Sequence, residues 1–232
     1  DIPANSGEII NLFKQKDELF ARTKQSVWFI PTRPQQLQTN EGSIQVGTGD
    51  FFSIPPKELY TLNTGYAGGQ SYFDLIVTEF GTYFIDDLKG KVFQFQDSIL
   101  EVTQGNESWF RENIPFNVLT VLPDFPLLDN TASNVGVGFI TTYDPRYKRL
   151  IVAKKDYQPI EREGVFFDIQ EYEPDRFRWL IVDQNLEDNI FTIDNPFERP
   201  DYFENKSWTI SYDLEEKQWI SYHSYLPSFM YN

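Results

Sequence analysis

The feature that most constrains the fold of this chain is a series of short segments in which large apolar residues alternate with polar ones. Such alternation is typical of β-strands that bury one face, and strands favour aromatic and β-branched residues. Fourteen prolines and thirteen glycines separate the segments and favour turns between them. A short helix is predicted at 106–114. We expect an all-β protein of antiparallel strands, with strands at 71–80, 82–87, 91–95, 137–144, 149–157, 177–184, 189–194, 207–213 and 218–225.

Three of these regions share one hairpin pattern: FIDDLKGKVFQF at 84–95, TYDPRYKRLIVA at 142–153 and SYDLEEKQWISY at 211–222. In each, a large residue precedes an aspartate, and a second large residue follows the first by seven positions. The aspartate stands where a turn begins, and its carboxylate can accept backbone N–H bonds there. The spacing lets the two large residues pair across the hairpin. The aspartates are Asp86, Asp144 and Asp213, and the predicted pairs are Ile85 with Val92, Tyr143 with Leu150, and Tyr212 with Trp219.

The repeated hairpins predict a β-propeller-like region over 1–232, with a fainter copy of the pattern at 12–30. The copies are 58 and 69 residues apart, which exceeds the roughly 40–50 residues of one propeller blade, so the interpretation requires insertions or skipped blades. The alternative is that a large residue, an aspartate and a turn recur in any antiparallel β protein.

Charge is distributed unevenly along the chain. The total is −15, from 35 acids and 20 bases, which disfavours general binding to nucleic acid phosphates. The segment 156–204 has 14 acids and four arginines, a net −10, and we interpret it as an acidic insertion-like segment. A basic cluster precedes it, which suggests a head-to-tail contact between neighbouring copies; a solvated acidic face is the alternative. The predicted subunit-contact residues are Arg146, Lys148, Arg149, Lys154 and Lys155.

Residues that commonly carry catalysis are scarce. The chain has no cysteine, which excludes disulfides, thiolate metal sites and a cysteine nucleophile. Its one histidine, His223, excludes multi-histidine metal sites and is expected to pack or to form a hydrogen bond. The glycine-rich sequences at 47–50, 65–70 and 136–138 lack phosphate-loop spacing and predict turns or close backbone approach. The acidic loop at 183–189 lacks the glycine and closing glutamate of a calcium loop. We predict no catalytic residue, cofactor or metal site, and no enzymatic activity.

Several stretches resemble the tail hub proteins of short-tailed phages, in particular the muzzle or stabilisation protein of the crAss-like phages. These stretches are GTGDFF, PPKELY, GYAGGQ, TEFGTYFIDDLKGKVFQF and KSWTISYDLEEKQWISYHSYLPSFMYN.

The resemblance implies a structural virion protein of the phage tail, with a β-propeller, in a ring below the portal that retains packaged DNA and conducts it at infection. It implies a homo-oligomer contacting other tail and portal-proximal proteins, assembled in the host cytoplasm, with DNA passing transiently and without specific binding. Family members are longer than 232 residues, so we expect this chain to be part of a larger polypeptide. No run of about 18 apolar residues predicts a membrane span.

A carbohydrate-binding or glycan-degrading β protein is the alternative function. Exposed aromatic rings bind sugars, and pairs of carboxylates hydrolyse them. Trp109, Trp179 and Trp219 are the candidate platforms, although tryptophans more commonly pack in cores. Core packing is expected for Trp219, because it occupies the repeat position of Val92 and Leu150.

Overall fold

The computed structural model describes residues 1–32, 35–39, 42–46, 54–60, 62 and 65–227, with the backbone alone at 35–39 and 42–46. The glycine-rich sequence at 47–50 and the end of the C-terminal stretch, 228–232, lie outside the described residues. Antiparallel strands make up most of the regular structure, so the predicted all-β class is confirmed. The chain divides into two compact units, Asp1–Thr103 and Gln104–Asn232.

The first unit has two four-stranded antiparallel sheets and a separate hairpin. It begins with a 3₁₀ turn at Ala4–Ser6. One sheet has the order β1-β2-β3-β6, with β1 Ile9–Gln15, β2 Glu18–Thr23, β3 Val27–Ile30 and β6 Lys57–Glu58. The hairpin is β4 Gln35–Thr39 with β5 Gly42–Val46. The second sheet has the order β10-β9-β8-β7, with β7 Ile76–Thr78, β8 Gly81–Asp86, β9 Lys91–Phe95 and β10 Ile99–Glu101.

The core of the first unit lies between these two sheets. Phe13 and Phe20 come from β1 and β2, whereas Phe84, Phe93 and Phe95 come from β8 and β9, and all five are buried in one cluster. Phe20 and Phe95 meet edge to face, with ring centroids 4.8 Å apart. Each buried phenylalanine contributes about 1.5–3 kcal/mol through removal of its ring from water. The alternating aromatics of the sequence therefore join the two sheets.

The glycine-rich sequence at 65–70 approaches the backbone of the turn between β2 and β3. A Cβ atom at Gly68 would lie 2.4 Å from the carbonyl oxygen of Lys24, and one at Gly69 would lie 2.3 Å from Arg22 Nη2. The prediction of close backbone approach is confirmed here. The glycines leave room for a fully buried ion pair, in which Arg22 Nη2 donates to Asp74 Oδ1 at 2.9 Å.

The second unit contains a four-stranded sheet interrupted by an insertion. Its order is β11-β12-β18-β19, with β11 Gly138–Asp144, β12 Arg149–Lys155, β18 Trp208–Asp213 and β19 Gln218–His223. Strands β12 and β18 are direct neighbours, so the acidic segment between them is inserted into this sheet. The insertion contains the sheet β14-β15-β16, with β14 Val165–Glu173, β15 Arg176–Asp183 and β16 Ile190–Ile193, and the pair β13 Tyr157–Pro159 and β17 Phe203–Asn205.

Helical structure in the second unit is short. Helix α1 spans Glu107–Asn113, within the predicted helix, and 3₁₀ turns occupy Asn117–Thr120 and Pro196–Glu198. The unit has an aromatic core around Trp179 of β15, which is fully buried and stacks on Phe125 with centroids 5.9 Å apart. Trp179 Nε1–H donates to the Tyr157 hydroxyl at 3.0 Å, and this hydroxyl donates to the carbonyl of Val135. Hydrogen bonds thus satisfy both the indole N–H of Trp179 and the hydroxyl of Tyr157 in this core.

Candidate assembly surfaces

The three repeated hairpins have the register that their spacing predicts. Strands β8 and β9, β11 and β12, and β18 and β19 form the hairpins, and the large residues seven positions apart lie directly opposite each other. The opposed pairs are Ile85 with Val92, Tyr143 with Leu150, and Tyr212 with Trp219.

Burial differs among the second members of these pairs. Val92 and Leu150 are buried, whereas Trp219 is half-buried and lies between Phe110 of α1, at 4.7 Å, and Tyr212, at 4.9 Å. The repeat position therefore contributes to the core in two hairpins. In the third hairpin it packs an edge strand against a helix.

The three aspartates hydrogen-bond to the backbone of their turns. Asp86 Oδ1 accepts the N–H three residues ahead at 3.0 Å. Asp144 Oδ1 accepts the N–H groups two and three residues ahead at 3.1 and 3.3 Å, and Asp213 Oδ1 accepts the corresponding groups at 2.9 and 2.8 Å. Asp86 is also buried, and burial raises the pKa of its carboxyl to about 6. Asp86 is thus the buried member of the set.

The tip of the β11–β12 hairpin, residues 146–149, is called the basic tip below. Tyr147 is 58% exposed there. The guanidinium groups of Arg146 and Arg149 lie over its ring, with their central carbons 5.3 and 4.9 Å from the ring centroid. Arg149 also pairs with Asp144 at 3.3 Å, and Lys148 Nζ pairs with Glu215 at 2.6 Å. The tip therefore presents an exposed aromatic side chain with two arginine side chains over its ring.

The other two predicted contact residues are not part of this tip. Lys154 is fully buried, so the prediction that it contacts another subunit is wrong. Its position on β12, in step with the inward-facing Leu150 and Val152, places it inside the unit. Lys155 is half-buried, and its Nζ donates to the carbonyls of Thr131 at 3.3 Å and Ser133 at 2.6 Å.

The buried Lys154 ammonium holds several segments together. Its Nζ donates to the carbonyl oxygens of Asn113 at 2.9 Å and Pro115 at 2.7 Å, and to Asp156 Oδ2 at 2.6 Å. Asp156 in turn accepts the backbone N–H of Asn117 at 2.8 Å. Burial lowers the pKa of Lys154, although Asp156 opposes this shift, and burial lowers the pKa of Lys155 to about 8. We therefore interpret this network as one that stabilises the fold.

The insertion has an exposed apolar row on the outer face of its sheet. Phe166 of β14 lies opposite Val182 of β15, which lies opposite Ile190 of β16. Phe166 is 59% exposed and Ile190 is 62% exposed. These three residues are called the apolar row below. The inner face of the same sheet carries Trp179, so the exposed residues are additional to the core.

Acidic side chains accompany the apolar row on β14 and in the connection between β15 and β16. Asp168, two positions after Phe166 on β14, shares the outer face and is exposed. Glu187 and Asp188 are exposed in the connection between β15 and β16. The surface is therefore apolar at its centre and negative at its rim. Sequence reasoning predicted the acidity but missed β14 and the row.

The three candidate sugar platforms lie in different surroundings. The prediction that Trp179 is an exposed platform is wrong, because its side chain is fully buried. Trp109 and Trp219 are half-buried and line a cleft of about 120 Å³ beside Tyr222, which is 70% exposed. Asn106 and Ser221 contribute polar groups to the lining.

His223 has a hydrogen-bonding environment. It is half-buried in β19, and its Nε2 lies 3.1 Å from Ser211 Oγ. Burial lowers the pKa of its imidazole, with a smaller contribution from the positive charge of Arg149. Among the residues that the structure describes, no three histidine, aspartate or glutamate side chains are grouped to hold a metal ion. No helix in the described part of the chain is long and apolar enough to cross a membrane.

Comparison of the chain with protein-family models and with curated proteins gives no match.

Proposed function

We propose that this chain is a structural virion protein of a phage tail, part of a ring-shaped hub or muzzle that retains packaged DNA and conducts it during ejection. The observation that carries the proposal is the sheet topology. Three sheets each have four antiparallel strands, in the orders β1-β2-β3-β6, β10-β9-β8-β7 and β11-β12-β18-β19. Four-stranded antiparallel sheets are the blades of β-propellers, whose blades surround a central channel.

Charge supports the same proposal. The net charge of −15 repels phosphates, so a wall of such chains lets DNA pass without retaining it by non-specific contacts. The sequence resemblance to muzzle proteins is consistent with this role. In this proposal the partners are other copies of the chain and other tail proteins, and the protein has no catalytic activity.

The proposal is tested by assembly. Purified protein should form oligomers in sedimentation velocity, and electron microscopy of these oligomers should show rings. Tail and portal-proximal proteins from the same particle should bind to the immobilised chain. A protein that remains monomeric at every concentration and binds none of those virion proteins would contradict the proposal.

The cleft beside α1 supports a second candidate function, carbohydrate binding. Trp109, Trp219 and Tyr222 bring three aromatic rings to one opening, and such rings bind the apolar faces of sugars. The described residues that line the cleft include no carboxylate, so the cleft favours binding over hydrolysis. A glycan array tests this candidate: hits that disappear with Tyr222→Ala and persist with the exposed Tyr72→Ala would support it, and an array without hits would exclude it.

A further inference from the structure

We infer that the basic tip of one copy docks on the apolar row of a second copy, in a head-to-tail contact. This inference rests on the proposed assembly role and assigns the residues of the contact. It places Tyr147 against Phe166, Val182 and Ile190, with the arginines of the tip facing the acidic rim.

The exposure of apolar side chains in the row favours an interaction surface over a solvated face. Two of its three side chains, Phe166 and Ile190, are more than half exposed, and they lie on the two edge strands of one three-stranded sheet. An exposed apolar patch with a polar rim is typical of an interaction surface. A solvated acidic face would need neither Phe166 nor Ile190 at outward positions.

The charge of the rim selects the kind of partner. Two apolar rows cannot pack symmetrically without bringing Asp168, Glu187 and Asp188 of both copies together, and like charges brought together in an interface oppose binding. The occupant should therefore be apolar at its centre and positive at its edge. The basic tip offers this chemistry through the exposed Tyr147 and Arg146. Arg149, which is paired with Asp144, also lies over the Tyr147 ring. Tyrosine and arginine are also the residues that most often anchor interfaces.

The contact is heterologous, since the tip and the row are different surfaces of each chain. Each copy would offer its tip to one neighbour and its row to another. Such contacts extend from copy to copy and close into a ring when the rotation between neighbours permits. The arginines at the edge make the association sensitive to salt.

Two variants test the two sides of the contact separately. The face variant carries Phe166→Glu and Ile190→Glu, and the tip variant carries Arg146→Glu and Tyr147→Ser. A control variant carries Leu88→Glu and Leu100→Glu, at positions that are 61% and 54% exposed in the first unit. Circular dichroism and thermal melting establish that each variant is folded.

Sedimentation velocity at low salt provides the readout. Wild-type and control proteins should associate as concentration rises. The face variant alone and the tip variant alone should each have an association constant lower by about tenfold or more. A one-to-one mixture of face and tip variants should form dimers that grow no further, because one intact tip and one intact row remain between the two chains. Salt at 0.5 M should dissociate these dimers.

Three results would overturn the inference: association of the face or tip variant equal to that of the control, a mixture that stays monomeric while the control associates, or a wild-type chain that is monomeric throughout. In the first two cases the wild-type protein still assembles, so the tail proposal survives without this contact. In the third, binding to other virion proteins decides whether the tail proposal also fails.

Discussion

At the scale of single residues, Lys154 is tied to its surroundings by a buried ion pair. Its ammonium and the carboxylate of Asp156 are both fully buried and 2.6 Å apart. Removing one member of such a pair leaves the other charged and buried without its partner, which costs about 3–5 kcal/mol. We expect Lys154→Met to lower the free energy of unfolding in urea by that amount.

An exposed pair provides the control for this substitution. Lys14 and Asp17 lie 3.3 Å apart with side chains that are 64% and 68% exposed, and exposed pairs contribute little. Lys14→Met should therefore leave stability nearly unchanged. The double variant Lys154→Met with Asp156→Asn should recover part of the loss, because no buried charge remains. Equal effects at positions 14 and 154 would contradict the assignment of a buried pair.

Asp86 gives stability a specific dependence on pH. Burial raises its carboxyl pKa to about 6, so the folded chain holds this proton more tightly than the unfolded chain does. The stability contribution of this group is therefore present at low pH and is lost as pH rises through about 6. Between pH 5 and pH 7 the loss should be about 1 kcal/mol.

The substitution Asp86→Asn isolates this contribution. The amide oxygen can still accept the turn N–H, but it does not titrate. Urea unfolding at pH 5 and pH 7 should show a smaller fall in stability with rising pH for the variant than for the wild type. Asp213→Asn removes a carboxylate from a more exposed turn and provides the matched comparison. An unchanged pH dependence in Asp86→Asn would exclude a raised pKa.

At the scale of elements, the turn hydrogen bonds should control the edge strand β19. Asp213 Oδ1 accepts two backbone N–H groups at 2.9 and 2.8 Å where β18 turns into β19. Asp213→Ala removes the oxygen that accepts both hydrogen bonds and should cost about 1–2 kcal/mol. Hydrogen exchange should become faster along β19 and remain unchanged in β8 and β9. Asp213→Asn, which retains an acceptor, should restore most of the protection; faster exchange in both variants would indicate that charge rather than hydrogen bonding holds the turn.

The hairpins were predictable because their pattern is local. Alternation and the seven-residue spacing specify which residues face each other, and Tyr143 lies opposite Leu150 as expected. The same alternation places Lys154 in step with the buried Leu150 and Val152, a signal that the basic composition of the region concealed. Strand β14 was missed because its outward positions include Phe166, so it does not alternate between apolar and polar residues.

The candidate contact required the structure because its residues are distant in sequence. Phe166, Val182 and Ile190 form a row only when the register of three strands is known. Tyr147 becomes an anchor only because Arg146 and Arg149 both lie over its ring. Sequence alone placed opposite charges on either side of position 156. It did not identify the apolar centre that gives the acidic surface a preferred partner.

At the scale of the whole molecule, the net charge predicts whether the protein binds DNA. With a net −15, the chain should not bind duplex DNA at 0.1 M salt, where screening acts over about 10 Å. A matched variant combines Glu171→Lys, Glu173→Lys and Asp175→Lys at the exposed β14–β15 turn. It raises the net charge by six, to −9, and places the new bases beside Arg176.

Gel-shift titration compares the two proteins. The variant should retard a short duplex at low salt and lose it as salt rises, since the bound phosphates release counterions. The wild type should leave the duplex unretarded at the same concentrations. This difference would mean that acidity at the surface, rather than the shape of the fold, prevents DNA from adhering. Retardation by the wild type at 0.1 M salt would contradict the proposal that DNA passes without binding, and would indicate a protein that binds DNA directly.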